Sequence, residues 1–146
     1  VPLVFFTQLV KISVKVDYAC RVLAEMARLQ GSGELAQIDH LAKTEAVPAN
    51  FLAQILSELR NAGLVTSKRG IQGGYALARP SDQISLYDIM KAIDGDLLEL
   101  SGNHKGRSGP RIKEIWLALR DTLDAQAKSH TLDTFVIRET SDMYHI

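Results

Sequence analysis

The sequence predicts a mainly α-helical chain with one small β-hairpin. Residues 11–95 read as a winged helix-turn-helix domain, and residues 96–138 as a loop and a long C-terminal dimerisation helix. Three observations predict this. Two helix-patterned segments, 38–45 and 48–62, are separated by a very short turn, which is helix-turn-helix spacing. Two β-patterned tetrapeptides follow at 64–67 and 75–78, joined by a cationic, glycine-containing turn over 68–74. Further on, Pro110 opens a long amphipathic stretch that the small preceding core cannot account for.

The chain has 146 residues, 46% of them hydrophobic, enough for one compact domain with an appendage. Charge is balanced at 17 basic and 17 acidic residues, so only its distribution is informative. Arg60, Lys68, Arg69 and Arg79 occur with no acid among them. Asp82, Asp88, Asp94, Asp96 and Glu99 then face Lys91 alone. A basic patch on a neutral protein is a local electrostatic footprint. The single cysteine, Cys20, excludes an intramolecular disulfide and a multi-cysteine metal site, and fits the reducing cytoplasm. No apolar run is long enough to span a bilayer. The apolar start, residues 1–10, lacks a basic region and a small-residue cleavage pattern, so it reads as an added remnant or an extra strand and not as a signal peptide.

In chain order, Ser13 can cap a first helix with Val16, Ala19, Cys20, Leu23, Met26 and Ala27 on its apolar stripe, stopped by Gly31-Ser32-Gly33. Ile38, Leu41 and Ala42 mark a short second helix. Pro48 suits the first turn of the third, where its missing N–H has no intrahelical partner. In that third helix Leu52, Ile55, Leu56 and Leu59 form the apolar face. Asn50, Gln54, Ser57 and Asn61 form the opposite stripe, all uncharged hydrogen-bonding groups. Gly63 then supplies the left-handed stop. After the hairpin, Ser85 and Asp88 give a capping-box start to a helix with Leu86, Ile89, Met90 and Ile93 on its apolar face. A polar glycine-rich loop covers 101–110. The last long helix carries Ile112, Ile115, Trp116, Leu119 and Leu123 along one side, a face expected to pack on a second copy with help from the first helix. A brief helical patch at 132–137 precedes a loose end from Glu139.

The chemistry points to duplex DNA. Asn and Gln can bond the adenine acceptor and amino donor together, and Asn50 and Gln54 lie one turn apart near a helix start. Ser57 and Arg60 can reach phosphate. Lys68 and Arg69 sit at the wing tip, where a minor groove or phosphate would lie, and Gly70 lets the backbone approach closely. A polar stripe opposite an apolar one is also what any surface helix shows, and two cations at a turn can be merely solvated. The combination with helix-turn-helix spacing and a basic hairpin favours DNA. Tyr75 reads as a packing residue between wing and core. Catalytic patterns are absent: there is no phosphate loop, no nucleophile elbow and no paired carboxylates, so the chain does not read as an enzyme. His40, His104, His130 and His145 are not at zinc-site spacings. Cys20, within an apolar stripe, reads as a buried thiol, with a sensor thiol the lesser reading.

Three stretches, VDYACRVLAEMA, IDHLAKTEAVPANFLAQILSELRNAGLVTSKRGIQGGYALARP and ISLYDIMKAIDG, closely resemble the Rrf family of bacterial winged-helix repressors. That family includes the iron–sulfur-cluster regulator, the nitric-oxide-sensitive repressor and the master repressor of cysteine metabolism. The resemblance runs from about Lys11 to Phe135 and is most specific in GLVTSKRGIQGGYALARP. It implies a homodimer held by the long helix on a partly palindromic operator. It puts Asn50, Phe51 and Gln54 where members address bases or backbone, Arg60 at a phosphate position, and Arg69 and Gly70 at the wing tip. Many members bind a cluster through three cysteines after the fourth helix. This sequence has no cysteine there, so no cofactor is expected. The signal would then be a small molecule, a partner protein or thiol oxidation. The rival reading is a winged-helix protein-interaction module that has lost DNA binding.

Overall fold

The computed structural model describes residues 11–70 and 73–137. The extra strand considered for residues 1–10 and the loose end from Glu139 fall outside the described residues.

Helix α1, Val14–Gln30, starts where the Ser13 hydroxyl accepts the Val16 N–H at 3.1 Å. Its buried apolar side chains, Val16, Ala19, Val22, Leu23, Met26 and Leu29, fall on one helical face and point inward. Helix α2, Ile38–Glu45, ends at Ala46, the one described non-glycine residue with positive φ, at 54°. Helix α3 runs Ala49–Asn61. Pro48 was expected in its first turn and instead occupies the N-cap, with ψ 133°. The chain is still reversing there, and an extended Pro48 lets buried Val47 plug the turn before the helix begins.

Leu52, Ile55, Leu56 and Leu59 of α3 are all fully buried. The helix ends with Gly63 at φ +79°. Gly63 N–H reaches Arg60 C=O at 3.0 Å and Leu64 N–H reaches Leu59 C=O at 2.9 Å, a Schellman pair. Because the Leu64 N–H closes that cap, Leu64 joins the hairpin through one bond only, its C=O accepting from Ala78 N–H at 2.9 Å, and the regular strand starts one residue later than the pattern suggests. Strand β1 is Val65–Lys68, β2 is Gly74–Leu77, and Val65 pairs with Leu77 and Lys68 with Gly74. A third segment joins them that the sequence did not suggest. Ala36 and Tyr75 exchange two backbone hydrogen bonds of 2.8 Å, fixing the entry to α2 against the outer edge of β2.

A 3-10 turn at Ser81–Gln83 leads to α4, Leu86–Asp94. Its capping box is complete: Ser85 Oγ accepts from Asp88 N at 3.1 Å, and Asp88 Oδ2 accepts from Ser85 N at 2.9 Å. Ile89 is fully buried. Helix α5, Gly109–Lys128, has Pro110 in its first turn, as expected. Only Ala127 of this helix is buried. Ile112, Ile115, Trp116, Leu119 and Leu123 stay 36–45% exposed. The patch expected at 132–137 is a 3-10 turn, Leu132–Phe135. Leu132 is fully buried against the α1 side of the core, and its N–H donates to Ile84 C=O at 2.8 Å. No helix among the described residues is long and apolar enough to cross a membrane.

Candidate nucleic-acid interface

The four buried leucine and isoleucine side chains of α3 fix which side of the helix faces out. Asn50, Gln54 and Arg60 are consequently exposed, Phe51 is 38% exposed and Ser57 is half-buried. Phe51 is partly spent inside the fold, edge-on to the Tyr18 ring of α1 at 5.7 Å. Gln54 Nε2 donates to Glu58 Oε1 at 3.5 Å, and Lys15 Nζ of α1 donates to the same oxygen at 2.8 Å. Arg60 does not project freely. Its Nη1 donates to Ser67 Oγ of β1 at 3.3 Å, which ties the end of α3 to the wing.

The wing follows directly. Lys68, Arg69 and Gly70 are all exposed. Lys68 closes β1 instead of lying in the turn, and Arg69 and Gly70 form the tip. Gly70 has φ +116°, a conformation that side-chain-bearing residues rarely adopt. A Cβ at Gly73 would lie 2.2 Å from Lys68 C=O. At the base, Gln37 Nε2 donates to Gly73 C=O, and a Cβ at Gly74 would lie 2.7 Å from Ala36 C=O. The wing is therefore pinned to the start of α2. A shallow hollow separates the two, lined by Lys68 and Arg69 with Asp39 as its one carboxylate. Tyr75 packs half-buried against the core, as its pattern suggests. The amides of α3, Arg60 and the wing cations are all exposed along one run of chain, from α3 through its cap into β1 and the turn.

The residues that hold α1 and α2 together were missed by the sequence reading. Glu25 is 4% exposed and accepts from Arg28 Nε and Nη2 at 2.6 Å each and from His40 Nε2 at 2.6 Å. The Arg28 hydrogen bond, helped by His40 and working against burial, holds its carboxyl below the usual range. Arg21 Nη1 donates to Glu45 C=O at 3.0 Å and caps the end of α2. Burial, with the charge of Glu25, raises the Glu45 carboxyl. A glutamate one turn after an apolar run gives no sign in sequence that it is buried. Cys20 is half-buried on α1, and burial, with the charge of Asp17, pushes its thiol up to about 11. That opposes thiolate chemistry near neutrality.

The Rrf2 family model, described as an iron-dependent transcriptional regulator, matches residues 12–138. The HTH-type transcriptional regulator CymR of Bacillus subtilis is 34% identical over 125 residues, covering 84% of this chain and 87% of that protein. The HTH-type transcriptional regulator IscR of Cereibacter sphaeroides is 35% identical over 119 residues, covering 79% and 77%. Among solved structures, CymR (YrzC), the global cysteine regulator of B. subtilis, superposes with TM-score 0.72 at 32% identity, covering 84% of this chain and 93% of that one. T. potens IscR superposes with TM-score 0.69 at 27% identity, covering 96% and 93%. The family description names iron, and the donors here lack the thiolates that hold an iron–sulfur cluster. The loop between α4 and α5 offers Asp96, Glu99 and His104 and no thiolate, and Asp96 is engaged by Lys91. Among the described residues no three His, Cys, Asp or Glu side chains lie close enough to hold a metal.

Proposed function

The chain belongs to the Rrf2 family of transcriptional regulators, and on that premise we propose that it is a cytoplasmic, homodimeric repressor that binds a partly palindromic operator without an iron–sulfur cluster. The observation that carries this is the outward amide face of α3, with Asn50 and Gln54 exposed over a fully buried Leu52–Ile55–Leu56–Leu59 face, running on into exposed Lys68 at the end of β1 and Arg69–Gly70 beyond it. A major groove admits such a helix and shows each base pair a distinct set of donors and acceptors. The wing's cations then meet phosphate or the adjoining minor groove.

In this reading Asn50, Phe51 and Gln54 address bases and neighbouring backbone, Ser57 and Arg60 address phosphate, and Lys68, Arg69 and Gly70 form the wing contact. Residues 11–95 are the DNA-binding unit and residues 96–138 the loop and dimerisation helix. The apolar stripe of α5, half exposed in one chain, supports pairing with a second copy. Two recognition helices would then enter successive major grooves about 34 Å apart. A small-molecule or protein effector acting at the 94–110 loop or at α5 changes repression only by favouring one spacing over another. The relatives are regulators, not enzymes, and no catalytic role is assigned.

The test is duplex binding measured across salt. Phosphate contacts release counterions, so affinity should fall linearly on a log–log plot with a slope of about −0.9 per phosphate neutralised. A flat profile, or no retention of any fragment selected from the source genome, would favour a protein-contact module instead.

A further inference from the structure

The contact between Gln54 and Glu58 gives the recognition helix a defined polarity. Glu58 lies one turn beyond Gln54 on α3, and its Oε1 accepts both Gln54 Nε2 at 3.5 Å and Lys15 Nζ at 2.8 Å. A carboxylate can only accept. Gln54 must therefore turn its nitrogen toward Glu58, because the flipped amide would set its own oxygen against a negative charge. Lys15 reaches across from α1 and holds the carboxylate from the other side, both side chains being about 28–29% exposed. The second oxygen, Oε2, is buried with no hydrogen-bond partner. The carboxylate is thus an expensive group for the fold, placed beside an exposed amide that faces out of the molecule.

We propose that Glu58 is a positioning residue for operator specificity: by holding the nitrogen of Gln54 inward it turns Gln54 Oε1 toward the groove, and so biases the facing position toward bases that present an amino donor there. In the major groove those are adenine, through N6, and cytosine, through N4. Guanine and thymine present carbonyl oxygens that would face Oε1 and be repelled. An unrestrained glutamine could flip and serve either set. Lys15 offsets the negative charge, so the carboxylate does not oppose the phosphates. The inference rests on the reading that Gln54 faces base edges.

The experiment is selection of bound duplexes from a randomised library, followed by competition affinities with each half-site position varied singly. Wild type, Gln54→Ala, Glu58→Ala and Glu58→Met are compared, the methionine keeping the stem packing should alanine disturb the helix. Wild type should prefer adenine or cytosine at one position per half-site by about tenfold. Gln54→Ala should abolish that preference. Either Glu58 variant should reduce it to about twofold and leave the other positions unchanged, whatever happens to overall affinity. The proposal is overturned if Gln54→Ala flattens the position and both Glu58 variants keep the preference, or if they weaken every position alike. Gln54→Ala changing no position would remove the base-reading role of Gln54 and the proposal with it, leaving DNA binding standing. A wild-type chain that retains no duplex would defeat the DNA-binding reading itself.

Discussion

Trp116→Ala tests whether the outer face of α5 is an interface. Trp116 is 44% exposed, between Ile112 and Leu119 at 42% and 45%. A tryptophan carries about 250 Å² of surface, so ~110 Å² of it is left for a partner to cover. At ~25 cal/mol per Å² that is ~2.7 kcal/mol per side chain. A two-fold dimer presents the same patch twice, so complete coverage gives a ceiling of about 5 kcal/mol. One decade in dissociation constant takes about 1.4 kcal/mol, so the variant should dimerise up to three to four decades more weakly. The monomer should survive, because Ala127 is the one buried residue of α5 and Trp116 lies outside the core cluster. Sedimentation from nanomolar to tens of micromolar concentrations reads the dimer, and far-ultraviolet circular dichroism reads the fold. A Trp116→Ala chain that pairs as tightly as wild type would remove this face from the interface. A wild-type chain that stays monomeric throughout would remove the dimer.

Arg69→Ala, at the exposed wing tip, should weaken binding on most sequences and flatten the log–log salt slope by about one unit, as read by fluorescence anisotropy; an unchanged slope would mean that Arg69 meets no phosphate. Gly74→Ala should displace the wing, since its Cβ would lie 2.7 Å from the Ala36 carbonyl oxygen, a backbone atom. Operator binding should fall tenfold or more while thermal unfolding moves only a few degrees; full binding would show that the pinning of β2 does not matter. Cys20, with its thiol raised from 9.0 to about 11, should hold about a hundredfold less thiolate at pH 8 than a free thiol and alkylate correspondingly slowly. The raised value favours the neutral thiol in the fold, so that contribution to stability is complete below pH 9 and is lost as pH climbs through about 11. Alkylation at the free-thiol rate would put Cys20 back in play as a sensor.

The sequence alone determined the local elements, because each is dictated by neighbours in the chain. The Ser13 cap, the Ser85–Asp88 capping box, the Gly63 stop and the 3.6-residue apolar stripes need no distant partner to be read. They located α3, its outward amides and the cationic tip to within a residue or two. The one-residue shifts arose where elements meet: Pro48 stayed extended to complete a reversal, and the Leu64 N–H was taken by the helix cap. Only the tertiary structure decided what depends on pairs far apart. The Ala36–Tyr75 bridge, the Lys15–Glu58–Gln54 chain, buried Glu25 held by His40, and Leu132 seated in the core each join residues 15 or more positions apart at one end or another. Their energetics come from burial and geometry, which a linear pattern of polar and apolar letters does not encode. A glutamate reads the same in sequence whether solvent or an arginine and a histidine surround it.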